Sequence, residues 1–215
     1  MATIMHGGVK LAVEDCGAGE PAFVLVHGWT CDRSFFAPQA EHFAQRYRVV
    51  SFDLRGHGES DKPHGTYQVA AYAADIAYII EQLGLGKAVA VGHSLGGITV
   101  LQLAAAHPDC TAASVMVDPA PFVFPPALRA AIEAMLAAIE AGDQEPRSQF
   151  IKNMFLPTSD QRLVETVLEG MLAAPAYVAA NATEEPSIST LALLRQRAKP
   201  PPSTWLQHRP STRRI

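Results

Sequence analysis

The sequence motif that most constrains this chain is Gly92-His93-Ser94-Leu95-Gly96, which reads Gly-x-Ser-x-Gly. A short apolar run rich in valine precedes the motif, and a run with helical spacing follows it. A strand that turns sharply into a helix holds the serine at the tip of the turn, and crowding leaves room only for glycine on either side. The first N–H groups of that helix would point at whatever binds there. An ordinary glycine-rich strand-to-helix turn is the alternative interpretation, because glycine and serine are common residues.

Composition limits the classes of protein that this chain can belong to. With 215 residues, 48% of them hydrophobic, the chain can bury a sizeable core as one domain. A net charge of −4 does not favour nucleic acid or an acidic membrane surface as a partner. The three cysteines, Cys16, Cys31 and Cys110, lack metal-like spacing and predict reduced thiols in a cytoplasmic protein. No stretch predicts a signal peptide or a membrane span. We expect a small-molecule substrate, no cofactor and no metal, and we leave open whether the chain forms a homo-oligomer.

Apolar runs alternate with runs of helical periodicity through the first half of the chain. A hairpin around Gly7-Gly8 comes first. Predicted strands then cover residues 22–26, 47–54, 88–91 and 113–117, and predicted helices cover residues 35–45, 69–83 and 96–107. This alternation predicts the α/β class, with a doubly wound, mostly parallel sheet.

The alternation stops after Pro121. Residues 127–141, 149–155 and 163–173 have helical patterns with no strand between them, and a strand-like run returns at Ile188–Leu194. We interpret residues 122–186 as a helical cap and residues 1–121 and 187–215 as the core. An additional helical layer without a capping role is the alternative.

Three motifs, taken in order, resemble those of the α/β-hydrolase superfamily. They are His27-Gly28-Trp29, the loop Phe52-Asp53-Leu54-Arg55-Gly56-His57-Gly58-Glu59-Ser60, and Gly92-His93-Ser94-Leu95-Gly96-Gly97. The resemblance covers about residues 3 to 194 and is greatest to small esterases, C–C bond hydrolases and haloperoxidase-like enzymes with a helical cap. It implies that ligands bind beyond the carboxyl ends of the strands.

The resemblance also implies an oxyanion hole, formed by the backbone N–H groups of Trp29 and Leu95. His27 is expected to stabilise its turn by a hydrogen bond, and His93 is expected to be structural. The loop from Asp53 to Ser60 is expected to be scaffold, in which Gly56 and Gly58 permit the turn and Arg55 braces neighbouring loops.

Ser94 needs a histidine to take its proton, and that histidine needs a carboxylate to fix its tautomer. The order in the superfamily is serine, acid, histidine, which makes Asp118 the candidate acid. A structural aspartate before Pro119 is the alternative. The only histidine after Asp118 is His208, in a proline- and arginine-rich end that resembles no family motif. We therefore expect His208 not to be catalytic, and we expect the family's last strand and helix to be missing.

The predicted function is a serine hydrolase that acts on an ester, thioester or C–C bond of a small apolar substrate through an acyl-enzyme on Ser94. The alternative is a catalytically impaired protein of the same fold that binds a small molecule under the cap. A peroxidase-like side activity at the same site is a third, weaker hypothesis.

Overall fold

The computed structural model describes residues 2–65, 67–119 and 125–181 of the chain. This part contains a twisted sheet of six strands with helices on both of its faces. The strands are β1 (Ala2–His6), β2 (Val9–Cys16), β3 (Phe23–Val26), β4 (Val49–Phe52), β5 (Ala88–His93) and β6 (Thr111–Val117). The helices are α1 (Ala37–Ala44), α2 (Val69–Gln82), α3 (Leu95–Ala106), α4 (Pro126–Glu140), α5 (Glu145–Lys152), α6 (Gln161–Leu172) and α7 (Ala176–Asn181).

The strands lie in the order β1-β2-β4-β3-β5-β6. β1 and β2 form the predicted antiparallel hairpin, and β2 also runs antiparallel to β4. The other four strands, β4, β3, β5 and β6 in their order in the sheet, are parallel, and each crossover between them contains a helix. The predicted doubly wound, mostly parallel sheet is therefore confirmed, and its order puts the turns after β3, β5 and β6 side by side.

Alternate side chains of the central strands supply two separate apolar layers, as the two-residue period of a strand requires. Val24 and Val26 of β3 face the main cluster, where α2 and α3 cover the sheet. Leu25 faces the opposite side and packs with Val49 and with Ala40 of α1. A strand that is covered on both faces has to be apolar throughout, and this is why β3 is one continuous hydrophobic run.

Residues 126–181 form four helices with no strand among the residues described, as predicted, and we refer to them as the helical segment. Its last helix, α7, was not predicted. Val178 of α7 is fully buried in the main cluster, and the Tyr177 hydroxyl donates to the Lys62 carbonyl at 2.6 Å. The helical segment is therefore anchored on the loop after β4. Its assignment as a cap over residues 122–186, with the core on either side, stays a prediction.

Two predictions fall outside the described residues, namely the strand-like run Ile188–Leu194 and the candidate base His208. Within the described ranges, no helix has the length and apolar character that crossing a membrane requires.

Candidate active site

Ser94 occupies the tip of the turn between β5 and α3, as the motif predicts. Its backbone has φ 52° and ψ −116°, a combination that a residue with a side chain adopts only when its surroundings enforce it. The Ser94 N–H donates to the Val117 carbonyl at 3.1 Å, and its own carbonyl accepts from Gly97 N–H at 2.9 Å to begin α3. The turn therefore holds a half-buried serine side chain at the carboxyl edge of the sheet.

The glycines of the motif are required by close approach of the backbone. A Cβ on Gly92 would lie 2.1 Å from the Gly96 carbonyl oxygen, and a Cβ on Gly96 would lie 2.2 Å from the Val26 carbonyl oxygen. Contacts this short are impossible, so α3 leaves β5 only because both residues lack a side chain. The sharp turn predicted from the motif is present, and it rests directly on the end of β3.

The loop after β3 lies against the same turn. A Cβ on Gly28 would be 3.3 Å from the Ser94 Cβ, so the peptide chain entering Trp29 passes beside the serine. The Leu95 N–H is the first of α3 and has no acceptor within the helix. Both N–H groups predicted for the oxyanion hole thus belong to segments that adjoin Ser94, although their role as oxyanion donors stays a prediction.

Asp118 follows β6 and is exposed. It is the residue after Val117, whose carbonyl accepts the Ser94 N–H, and the following Pro119 would touch a Cβ on Gly97 at 3.0 Å. The turn that carries Asp118 is therefore tied to the Ser94 turn on both sides of the aspartate. The structure brings the two predicted catalytic residues to neighbouring turns, and their catalytic roles stay predictions.

Three residues other than glycine have positive φ angles in the described part of the chain, and they follow three parallel strands. They are Thr30 after β3 (φ 56°), Ser94 after β5 (φ 52°) and Asp118 after β6 (φ 42°). Such conformations cost about 1–3 kcal/mol each and persist where the surrounding structure enforces them. Their convergence at one edge of the sheet marks this edge as the candidate active site.

His27 and His57 support the loop after β3 as neutral hydrogen-bonding groups. His27 Nε2 accepts from the Leu54 N–H at 3.0 Å, which leaves the proton on Nδ1 to donate to the Gly28 carbonyl at 2.9 Å. His57 Nε2 accepts from the Thr30 N–H at 3.2 Å. Burial lowers the pKa of His27 to about 4. Burial and the nearby His27 lower the pKa of His57 to about 3. The expectation of a structural His27 fits this arrangement.

No imidazole in the described ranges is hydrogen-bonded to the Ser94 hydroxyl. Both ring nitrogens of His27 and of His57 are already engaged with the backbone. His93 lies next to Ser94 in the chain, and its Nδ1 is directed toward Gly28, 3.1 Å from where a Cβ of that glycine would stand. A base for Ser94 is therefore not supplied by these three histidines.

The loop Asp53–Ser60 is scaffold, as predicted, because its charged groups are bonded to other structural elements. Arg55 binds the fully buried carboxylate of Asp75 on α2 through two hydrogen bonds of 2.6 Å. Asp53 accepts from the Arg33 N–H at 2.8 Å and from the Glu59 N–H at 2.7 Å. A groove of about 840 Å³ beside these residues, between α1, β2 and β4, does not include Ser94.

Sequence reasoning missed the contacts between Trp29 and the helical segment. The indole Nε1 donates to the Ala179 carbonyl of α7 at 3.0 Å, and the Arg147 guanidinium of α5 lies 5.7 Å from the centre of the indole. The sequence gives no signal for the second contact, because α5 is predominantly polar and an arginine there is expected on the surface.

Comparison with known proteins agrees with the fold. Residues 21–167 match the family model of the alpha/beta hydrolase fold. A thermophilic esterase from Thermogutta terrifontis superposes with a TM-score of 0.76 at 28% identity, covering 88% of this chain and 73% of that one. The match to the family model covers well over half of the chain and includes the turns after β3, β5 and β6. The chain therefore belongs to the α/β-hydrolase fold family.

Two curated relatives are similar to a large part of the chain. A 2-(acetamidomethylene)succinate hydrolase of Mesorhizobium japonicum is 37% identical over 138 residues, which is 64% of this chain and 48% of the relative. An sn-1-specific diacylglycerol lipase of Mus musculus is 35% identical over 159 residues, which is 72% of this chain and 50% of the relative. The chain therefore spans about half the length of these relatives.

Proposed function

We propose that this protein is a serine hydrolase that forms an acyl-enzyme on Ser94. The observation that carries the proposal is the strained turn at Ser94, with φ 52° and ψ −116°, between β5 and the start of α3. This backbone conformation is costly in free energy and persists only where the surrounding structure enforces it. Such strain is typical of functional sites. The three proteins named above, a hydrolase, a lipase and an esterase, support the same class of reaction.

In the proposed reaction the Ser94 hydroxyl oxygen attacks the carbonyl carbon of the substrate while a base takes the hydroxyl proton. The carbonyl oxygen becomes an oxyanion, which accepts hydrogen bonds from the Trp29 and Leu95 backbone N–H groups. The base returns the proton to the leaving group, and the bond between that group and the carbonyl carbon breaks. Water then attacks the acyl-enzyme by the same route, which releases the acid and restores the Ser94 hydroxyl.

Asp118 is proposed to orient the histidine that acts as this base, by accepting a hydrogen bond from the N–H of the ring nitrogen that faces away from Ser94. The exposed turn after β6 leaves its carboxylate open for such a bond. His27 and His57 are unsuited to the role, because their ring nitrogens are bonded to the backbone and burial keeps both rings neutral.

The proposed substrate is small and apolar, with an ester, a thioester or an activated C–C bond at the carbonyl. The helical segment is proposed to cap the site, since α5 and α7 contact Trp29 directly. Apolar side chains of α4, α5 and α7 gather beside this tryptophan, Met135, Ile139, Phe150 and Ala179 among them. A cytoplasmic location and a small-molecule partner complete the proposal.

Hydrolysis of p-nitrophenyl acetate tests the proposal. In a form of the protein that supplies the base, Ser94→Ala should lower kcat by about 10³-fold or more, since removing the nucleophile of such a site removes nearly all of its catalysis. Ser34→Ala is the matched control, because Ser34 is exposed on the turn before α1 and should leave the rate unchanged. Equal rates in the wild type and in Ser94→Ala would exclude Ser94 as the nucleophile.

One observation favours a second function, in which the protein binds a small molecule without turnover. No imidazole in the described residues is hydrogen-bonded to Ser94, and a serine without a base is a weak nucleophile at neutral pH. Saturable binding of a short ester, measured calorimetrically, without release of its alcohol would establish this second function in place of the first.

A further inference from the structure

The Trp29 side chain connects the sheet to the helical segment. Its indole packs against the main cluster of the sheet and α2–α3. It also packs against the cluster of α4 and α7 around Ile139, and against the cluster of α5 and α6 around Ile151. One side chain thus contacts three apolar clusters, two of which are formed largely by the helical segment.

Directional contacts fix the orientation of the indole as well as its position. The Nε1–H donates to the Ala179 carbonyl at 3.0 Å, and the Phe150 ring meets the indole edge-on with a centroid distance of 5.9 Å. The Arg147 guanidinium lies 5.7 Å from the centroid, within the range of a cation–π interaction. All three partners belong to α5 or α7, so the helical segment holds the tryptophan ring in one orientation.

Arg147 is unusual among these partners because it is a buried cation. It is 1% exposed, and its guanidinium donates to the Met171 carbonyl, to the Ala174 carbonyl at 3.0 Å and to Gln144 Oε1 at 3.2 Å. These acceptors are neutral, and burial lowers the pKa of Arg147 to about 10, which leaves it charged at neutral pH. A cation is costly to bury without an anion, so its retention beneath the indole calls for a role.

The main chain of Trp29 is held just as firmly on the other side. The next residue, Thr30, donates its N–H to His57 Nε2 at 3.2 Å, and Cys31 donates its N–H to the Gly28 carbonyl at 3.2 Å. The peptide between Gly28 and Trp29, which carries the proposed oxyanion donor, is therefore held between these bonds and the indole. The indole contacts hold the Trp29 side chain from one side and these bonds hold its main chain from the other, so a displacement of the whole residue would have to break contacts on one side or the other.

We propose that the helical segment sets the geometry of the oxyanion hole through Trp29, with Arg147 and the Ala179 carbonyl as its positioning groups. This inference rests on the proposed function, because it assigns a purpose to the indole only if the Trp29 N–H stabilises an oxyanion. Its consequence is that the contacts Trp29 makes with α5 and α7, remote from the carbonyl under attack, affect kcat more than KM. A shift of about 1 Å in a positioned group can cost about 100-fold in rate.

The test compares two pairs of variants of the full chain. Arg147→Met removes the cation and keeps an unbranched apolar side chain, and Trp29→Phe keeps a ring but removes the indole N–H. The controls are Arg162→Met, at an exposed arginine of α6, and Tyr177→Phe, which loses a hydrogen bond between the helical segment and Lys62 that does not involve Trp29. Each variant is assayed on p-nitrophenyl acetate and on the analogue whose carbonyl oxygen is replaced by sulfur.

The proposal predicts that Arg147→Met and Trp29→Phe lower kcat on the oxygen ester by about 10- to 100-fold with KM nearly unchanged. The preference for the oxygen ester over the sulfur analogue should fall as well, because that preference reports how well the hole fits an oxyanion. Both controls should keep the wild-type kcat and preference. A merely structural Arg147 would lower the melting temperature without changing the preference.

The outcomes separate this inference from the function on which it rests. If the wild type and Ser94→Ala are equally inactive, the proposed function fails and the positioning role fails with it. If activity depends on Ser94 but both Trp29→Phe and Arg147→Met keep the wild-type kcat and ester preference, only the positioning role is wrong. If Arg147→Met does not fold, the positioning role is tested with Arg147→Lys and Trp29→Phe instead, because both variants retain more of the native contacts than Arg147→Met does.

Discussion

The turns after β3 and β5 differ from the turn after β6, although all three carry residues of the candidate site. Ser94 and Trp29 lie in the first two turns, which are packed against each other and held by backbone hydrogen bonds. Asp118 lies in the third, at the end of a strand whose Val115, Met116 and Val117 are 40–44% exposed. The proposed nucleophile and oxyanion donors thus lie within the core, and the proposed acid lies at its margin.

This difference predicts different costs for substitution. In the central turns, chemistry and folding depend on the same atoms, so a substitution there should lower stability as well as activity. At the end of β6, the carboxylate of Asp118 contributes to the proposed chemistry and little to the packing. Each of the following predictions tests whether the two regions separate in this way, beginning with the largest effect.

In a form of the protein that supplies the catalytic histidine, Asp118→Asn should lower kcat by about 10⁴-fold, because an amide favours the wrong tautomer of that histidine. The free energy of unfolding should stay nearly the same, since the side chain is exposed. Ester hydrolysis and urea unfolding of the same preparation measure both quantities. Full activity in Asp118→Asn would move the acid to another residue.

Gly96→Ala should destabilise the protein by about 3 kcal/mol or more, because the added Cβ would stand 2.2 Å from the Val26 carbonyl oxygen. The neighbouring Gly97→Ala is the matched control. Its Cβ would meet the Pro119 side chain at 3.0 Å and the Gly92 carbonyl oxygen at 3.2 Å, contacts that a small shift can relieve, and alanine improves helix propensity by about 1 kcal/mol. Urea unfolding should separate the two variants, and similar losses in both would contradict the distinction between the turns.

Acid should destabilise the central turns through His27 and His57. Their folded pKa values, about 4 and about 3, lie below the unfolded value of about 6.5, so folding favours the neutral rings. This stability is complete above pH 6.5 and is lost as the pH falls from there toward the folded pKa values. At pH 5 each histidine should therefore reduce the free energy of unfolding by about 2 kcal/mol relative to pH 7.5.

Urea midpoints at the two pH values measure this loss. His27→Gln should be less stable overall and should show a smaller difference between pH 7.5 and pH 5, because one of the two titrating rings is gone. The exposed His42 supplies the control, since His42→Gln should keep the wild-type dependence. Equal wild-type stability at both pH values would mean that the rings are not held neutral.

Val115→Thr should change the free energy of unfolding by no more than about 0.5 kcal/mol, as expected for an exposed position. Val24→Thr, at a fully buried position of β3, makes the same change and should cost about 1–3 kcal/mol, because the hydroxyl is buried. A large loss in Val115→Thr would show that β6 is covered in solution, and the contrast between core and margin would then be wrong.

The sequence predicts the central part of the site well, for a physical reason. Gly92 meets a steric requirement of the turn itself, because its Cβ would strike the Gly96 carbonyl oxygen, and the apolar run before the motif and the helical run after it complete the pattern that predicts the turn. The proximity of Asp118 to Ser94 follows from strand order, because β5 and β6 are consecutive parallel neighbours. Each of these inferences needs only the local chain or the topology of the sheet.

The contacts of the helical segment could not be predicted in the same way. Helix α7 has six residues, too few for a periodic pattern, and its burial comes from the Val178 contact with the main cluster. Arg147 lies in a polar helix, and its burial depends on carbonyl groups after α6 and on an indole more than 100 positions earlier in the chain. Tertiary contacts of this kind leave no signal in one sequence.

The most direct test of the central claim is labelling with a fluorophosphonate probe, read by mass spectrometry. The probe reacts with a serine that is activated as a nucleophile and leaves a covalent phosphonyl group on its oxygen. The account predicts one added group, on the peptide that contains Ser94, in the wild type and in Ser34→Ala and none in Ser94→Ala. Equal labelling of the wild type and Ser94→Ala, or a label on another residue, would contradict it.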